Sequence, residues 1–345
     1  MKFDRDIPHP PVSGLLDAKV RCLVLVFCLL VTASAEDRLP EKSESNADVL
    51  ALRCMERLCL GDAFDAKLRQ RIWASGREVV GVGHYEQGGR GGGRFSLEMT
   101  IHDGDTRQTM KQISDGKLVW VRTEIGGAVA IRRVDLGRID EFERQWLTKQ
   151  QMSSVAPRAS VYRSVGHVSP TPIENRLPSR LTAGGLAELI QRIREDYVLS
   201  LKKGTVERQP VWILHGRLRS TVHSQIEAVS QRGHWTPLCP VEVRVAIAAT
   251  ADATGFGAGL PLRIEFYSVA TLANDPTTPS TDSQTVAPPA TPTGRLISLL
   301  EVYAMRRIEA SPEERFRFQS DDREVTFTND TKRYLDQIGI ETESE

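Results

Sequence analysis

Apolar positions recur along this chain with two different periods. From Asp48 to about Ile72, Leu50, Cys54 and Leu58 fall on one stripe while Arg53, Glu56 and Arg57 lie off it, which predicts helix, with the Leu60-Gly61-Asp62 step dividing it in two. The period then changes to two. Segments bounded by glycine run at about 75–86, 94–102, 107–114, 117–123 and 127–135, and the clearest alternation is Arg94-Phe95-Ser96-Leu97-Glu98-Met99-Thr100-Ile101, with four apolar side chains on one face. Asp-Gly turns at 103–104 and 115–116 join consecutive strands. Turns this short make the group an antiparallel meander, because a parallel pair needs a crossover of about a dozen residues or more.

Helical spacing returns at Ile139 to Met152 through Phe142, Trp146 and Leu147, and again from Leu186 to Lys203. In the second segment Leu186, Ile190, Ile193, Tyr197 and Leu201 recur at intervals of three and four, Gly204 provides the stop, and Glu188, Arg192, Glu195, Asp196 and Lys202 form the opposite face. A second strand-rich group follows at about 205–218, 240–250, 261–270 and 294–308, where Val241, Val243, Val245 and Ile247 alternate. A short strand near Glu324 to Thr328 and a helical turn at Lys332 to Ile338 complete the pattern. The fold class is therefore α+β, a large antiparallel sheet with one apolar face covered by amphipathic helices. Trp120 and Trp212 sit within its strands. The Ser-, Pro- and Arg-rich residues 153–180 read as an irregular connection, and Asn274 to Thr293 is too polar to bury, so a disordered surface loop is expected there.

The first 35 of 345 residues read as an export signal. Lys19 and Arg21 precede the apolar run Cys22 to Val31, and Thr32-Ala33-Ser34-Ala35 places small residues before a cut at Glu36. The run is shorter than the roughly 20 apolar residues needed to span a bilayer, so cleavage is expected. The long leader, with Asp4, Asp6 and Asp17, leaves an uncleaved anchor as the alternative. Residues 36–345 are then expected to form a single domain in the periplasm, or otherwise exported, soluble once the signal is removed. Phe27 before Cys28 argues against a lipobox.

Lys+Arg and Asp+Glu are both 45, which leaves no global field to attract nucleic acid or an anionic membrane. Cys54 and Cys59 point away from each other on a helix, and Cys239 is the remaining partner for either; free buried thiols are the simpler reading. Gly88-Gly89-Arg90-Gly91-Gly92-Gly93-Arg94 opens a strand rather than a helix, which excludes a P-loop and favours a hairpin loop. Gly255-Phe256-Gly257-Ala258-Gly259 likewise leads to Pro261 and a strand, so no dinucleotide site is expected. No histidine pair has metal-ligand spacing, although His84 and His102 could meet across neighbouring strands, and no nucleophile elbow is present. No cofactor, metal or catalytic residue is predicted.

The order of elements, with Gly83-His84-Tyr85-Glu86-Gln87, then Arg94-Phe95, then Ser114-Asp115-Gly116-Lys117-Leu118-Val119-Trp120, resembles the outer-membrane lipoprotein-sorting (LolA-like) proteins of double-membraned bacteria over about residues 48–140. The resemblance implies an open half-barrel closed by helices, whose apolar concavity shields lipid chains. It implies an inward, ligand-binding face of Phe95, Leu97, Met99, Ile101, Leu118 and Trp120, and a buried arginine bonded to the helical lid, for which Arg90 and Arg94 are nearest. The function this implies is a non-enzymatic binder or carrier of an apolar or lipid-bearing ligand. Its partners would be lipid or lipoprotein acyl chains or envelope proteins, with no nucleic acid and no stable membrane insertion. The alternative is a structural or interaction protein of the envelope with a filled core. Shared fold alone does not decide between them.

Overall fold

The computed structural model describes residues 42–74, 76–104, 106–154, 177–229, 239–268, 294–319, 326–338 and 340. The predicted export signal, most of the 153–180 connection and the Asn274 to Thr293 stretch lie outside the described residues.

Helix α1, Lys42–Leu60, leads into a six-stranded meander: β1, Phe64–Ala74; β2, Arg77–Gln87; β3, Arg94–Asp103; β4, Thr106–Asp115; β5, Leu118–Ile125; and β6, Ala128–Asp135. Helix α2, Leu136–Ser154, the short α3, Ser179–Thr182, and α4, Gly185–Asp196, precede a second meander. That meander is β7, Tyr197–Val206; β8, Gln209–Leu218; β9, Glu242–Ala248; β10, Pro261–Ser268; and β11, Arg295–Arg307, with helix α5, Ser220–Val229, between β8 and β9. A strand β12, Phe327–Asn329, and helix α6, Thr331–Gln337, follow.

All twelve strands form one sheet in the order β12-β6-β5-β4-β3-β2-β1-β11-β10-β9-β8-β7. It is open, with β7 and β12 as its edges, and this is the half-barrel arrangement expected. The two meanders meet at β1 and β11, which pair antiparallel from Phe64↔Arg307 to Ile72↔Ser298. Every pair is antiparallel except β12 with β6.

Register sorts the side chains cleanly, since directly opposed residues share a face. One row runs Ala66, Tyr85, Leu97, Gln112 and Val121, and continues beyond β1 as Gln70, Leu300, Ile264, Val245, Leu214 and Leu201. This face carries the core together with the buried stripe of α1, Ala47, Ala51, Cys54, Met55, Leu58 and Cys59, and that of α4, Leu186, Ala187, Ile190 and Ile193. The other face begins Asp65, Glu86, Ser96, Ile113, Trp120, Arg133 and carries the ion pairs Arg69–Glu301, at 2.6 Å, and Arg306–Asp65, at 2.7 Å.

Three elements differ from the sequence expectation. The second half of the Asp48 to Ile72 helix is instead strand β1: Phe64, Leu68 and Ile72 are spaced for either period, and the burial of Ala66 and Gln70 between them is what makes the period two. The helix predicted to reach Lys203 ends at Asp196, and Tyr197 is already extended at φ −120°, so Tyr197 and Leu201 belong to β7. Helix α5 has no counterpart in the expectation. Leu214 is fully enclosed on the core face, and Leu214→Ala is expected to cost about 2–5 kcal/mol, read as a shift of the urea midpoint with unchanged slope.

Candidate functional site

The apolar face of β3 is the centre of the candidate site. Phe95, Leu97, Met99 and Ile101 lie together on it and are 4%, 1%, 4% and 5% exposed. Two glycines of the neighbouring strand make room for them: a Cβ on Gly81 would stand 2.6 Å from Ile101 Cγ1, and one on Gly83 2.3 Å from Met99 Sδ. The Met99 and Ile101 side chains therefore lie across a groove in β2 that any larger residue would fill.

Leu118 and Trp120 do not join this set. Trp120 pairs with Ile113, which pairs with Ser96, so β5 turns Leu118 and Trp120 to the face opposite Phe95 and Leu97; Val119 and Val121 are the inward residues. The expected inward pair lies one residue out of phase with the inward face of β5, and a slip of one in a period-two pattern exchanges the faces. Trp120 instead stacks on Phe318, with ring centroids 4.9 Å apart, and meets Phe327 edge-on at 5.4 Å.

Over Phe95 sits the start of α4. Gly184 and Gly185 have φ of 87° and 63°, and a Cβ on Gly184 would stand 2.5 Å from Phe95 Cζ, so both the backbone conformation and the close approach require glycine. The Gly185 N–H donates to Gln112 Oε1 at 3.0 Å, and the Gly184 N–H to the Glu188 carboxylate at 2.8 Å. Otherwise α4 rests on the sheet through Leu186, Ile190 and Ile193.

The arginine that ties the helical cover together is Arg194, not Arg90 or Arg94. Arg194 reaches Asp48 of α1 through Nε at 2.6 Å and Nη2 at 2.8 Å, with the guanidinium 0% and the carboxylate 39% exposed. Arg90 is exposed in a left-handed conformation, its backbone N–H donating to the Gly61 carbonyl. Arg94 Nη1 donates to Glu313 at 2.8 Å, on the short helical turn Glu313–Phe316. A signal for Arg194 existed in the sequence: it follows Ile190 by four, in phase with the apolar stripe of α4 rather than its polar face.

The remaining chemistry-bearing groups are dispersed. Cys54, Cys59 and Cys239 are buried and form no disulfide among the described residues, and the Cys59 thiol donates to the Leu181 carbonyl at 3.2 Å. Burial pushes the Cys59 thiol up to about 12, so it stays protonated and unreactive at neutral pH. His84 and His102 do not meet, since His84 lies opposite Glu98 and His102 opposite Val80. Among the described residues no group of His, Cys, Asp and Glu could hold a metal ion, and no helix is long and apolar enough to cross a membrane. The arrangement is that of an apolar sheet face closed by a helical cover.

No family model matches this chain, and no curated protein matches it. Solved structures similar to it include the MucA/MucB complex of Pseudomonas aeruginosa, at 12% identity and TM-score 0.34, over 79% of this chain and 61% of that one. A LolA superfamily protein from Nitrosomonas europaea aligns at 14% identity and TM-score 0.25, over 79% and 97%. An outer membrane lipoprotein-sorting protein domain from Vibrio parahaemolyticus aligns at 10% and 0.29, over 79% and 97%. This chain spans less than two thirds of the length of the first structure.

Two outcomes follow from the geometry. Removing Asp48 strands a buried guanidinium, whereas removing Arg194 leaves a carboxylate that water reaches. Asp48→Ala is therefore expected to cost about 3–5 kcal/mol and Arg194→Met less than that, measured by denaturant unfolding. At the end of α4, burial raises the Asp196 carboxyl to about 7, with Glu195 adding to the rise and Arg192 and Arg219 opposing it. Because the folded form holds this proton more tightly than the unfolded chain, whose value is about 3.9, its contribution is complete below about pH 4 and is lost as the pH rises through about 7. Asp196→Asn should remove that part of the pH dependence of the unfolding midpoint, and an unchanged profile would contradict the assignment.

Proposed function

We propose that this protein is a non-enzymatic, exported binder of an apolar or lipid-bearing ligand, taken up between the core face of the sheet and the α1–α4 cover. The observation that carries the reading is how the cover is fastened. The two helices are clipped to each other by a charge-assisted pair, Arg194–Asp48, while their hold on the sheet is mostly apolar side-chain contact. Apolar contact is non-directional, so an acyl chain can replace a helix stripe against Phe95, Leu97, Met99 and Ile101, with the Gly185–Gln112 hydrogen bond as the polar contact that opening must break. The periplasm is the compartment that the predicted export signal proposes, and envelope proteins or lipoproteins are the partners this function would have.

A second reading, an envelope interaction protein with a filled core, is favoured by the burial of those four side chains to 5% exposure or less. The readings separate on uptake. Full-length protein titrated with a fluorescent fatty acid should show saturable binding, strengthened severalfold in Arg194→Met, where the clip is gone. No uptake by either form, with a protein partner copurifying in stoichiometric amount and no lipid in native mass spectra, would establish the filled-core reading instead.

A further inference from the structure

A cleft of about 290 Å³ opens away from the apolar interior, at the rim of the sheet where α1 ends. It is lined by Arg57, Asp62, Thr254, Gly255, Phe256, Arg306 and Arg307. These residues come from the last turn of α1, the connection into β1, the turn between β9 and β10, and the end of β11.

The two arginines of β11 are consecutive, and consecutive strand residues point to opposite faces. Both reach the cleft because it lies at the end of the strand: Arg306 turns to Asp65, and Arg307 turns past the edge to Asp62 in the connection into β1. Just before them, between Asp65↔Arg306 and Lys67↔Tyr303, the register slips by one, and Ala304, inside the slip, holds a left-handed φ of 49°. Such a bulge bends the strand as it enters the rim. An alanine in this conformation is strained, and strain of this kind persists where surrounding structure imposes it.

The charge in the cleft is unbalanced. Arg306 grips Asp65 through Nε and Nη2, both at 2.7 Å, and Arg307 Nη2 holds Asp62 at 2.9 Å. Those contacts leave Nη1 of each guanidinium for other acceptors. Arg57 has no carboxylate partner among the described residues; its guanidinium lies 5.8 Å from the centroid of the Phe256 ring. Three guanidiniums thus line the cleft beside the one lining carboxylate, Asp62; Asp65 is taken up by Arg306, and Asp252 by the Thr254 and Phe256 N–H groups of its own turn. Phe256 forms an apolar floor, and its ring meets that of Phe64 at 5.9 Å.

We propose that this cleft is a binding site for an oxyanion of phosphate type. Planar guanidinium forks match the oxygens of such a group, and the ring beneath suits a ligand whose anionic head carries an apolar portion. The same chemistry is offered by free phosphate and by a phospholipid headgroup. The site takes Arg57 from the end of α1 but lies away from the β3 face, and it does not rest on the function proposed above.

The test uses the full chain. Calorimetric titration with inorganic phosphate, and cosedimentation with phosphatidylglycerol vesicles against phosphatidylcholine vesicles, distinguish the two sources. Binding in either arm is expected to fall at least about tenfold in Arg57→Gln, whose guanidinium holds no carboxylate among the described residues, and in Thr254→Glu, which brings a carboxylate to the exposed lip. Arg217→Gln, on β8, should leave binding unchanged, and circular dichroism confirms that each variant is folded. Phosphate binding with these losses assigns a soluble oxyanion; vesicle binding alone with the same losses assigns a headgroup. Absence of binding in both arms, or binding that Arg57→Gln and Thr254→Glu leave intact, overturns the proposal.

Discussion

The pairing of β1 with β11 is the constraint on which the rest of this sheet depends. Each meander pairs strands that are neighbours in sequence, through short turns in the first and mostly longer connections in the second, but the two become one twelve-stranded sheet only where Phe64 to Ile72 meets Ser298 to Arg307. The contact Arg69–Glu301 closes a separation of 232 residues, an entropic cost that local contacts cannot offset. The seam is accordingly fastened on both faces. Leu68 and Val302 meet on the core side, while Arg69–Glu301 and Arg306–Asp65 lie on the other. The Arg306 guanidinium holds the Asp65 carboxyl below the usual carboxylate range, so the seam carries its charge through the neutral pH range.

A continuous apolar face created by this seam must be covered, and two helices from distant parts of the sequence do so together. α1 and α4 each bury one stripe, and Arg194 makes them a unit by placing its charge where an apolar residue would otherwise stand. A buried arginine is costly to desolvate and adds little net stability over a hydrophobic residue of similar size. What it adds is register, because the fork fits Asp48 in one relative placement of the helices. Arg192 plays a comparable part on the far side of α4, where it donates to Gln337 of α6 at 3.0 Å and lies 3.7 Å from both Glu188 and Glu195. The polar face of α4 is therefore packed against α6 rather than given to solvent.

Much of this was legible in the sequence, because strands β2 to β6 and β8 to β11 announce themselves by alternation and by glycine-containing turns. Phe95 to Ile101 could be assigned to one face on that basis alone. The failures share a physical origin in coincident periods. Phe64, Leu68 and Ile72 satisfy spacings of two and four alike, and Leu186 to Leu201 keeps helical spacing across a boundary where the chain becomes extended at Tyr197. Arg194 was missed because charge suggests solvent, although its position in the stripe put it inside. Partners such as Asp48 and Glu313 depend on tertiary placement and leave no local pattern.

Trp120 shows why the apolar content of a strand does not by itself identify the core face. Its β5 neighbours Val119 and Val121 already supply the inward side chains, so a large ring at Trp120 demands cover on the other face. The chain provides it after β11. Glu313 and Arg315 fasten that segment to Arg94, at 2.8 Å, and Glu86, at 3.1 Å, while Phe316 is 1% exposed and Phe318 stacks on Trp120. β12 then adds Phe327, with the Arg133 guanidinium 4.7 Å from its ring centroid. The N-terminal half of the sheet is thus covered on both faces, by helices on one and by this strap on the other. The strand carboxylate of Glu86, 4% exposed, lies under the strap rather than in water, and the Ser311 hydroxyl donates to it there. The outer face of this half is thereby packed by contacts that do not involve α1 or α4, so the sheet's two covers are fastened independently of each other.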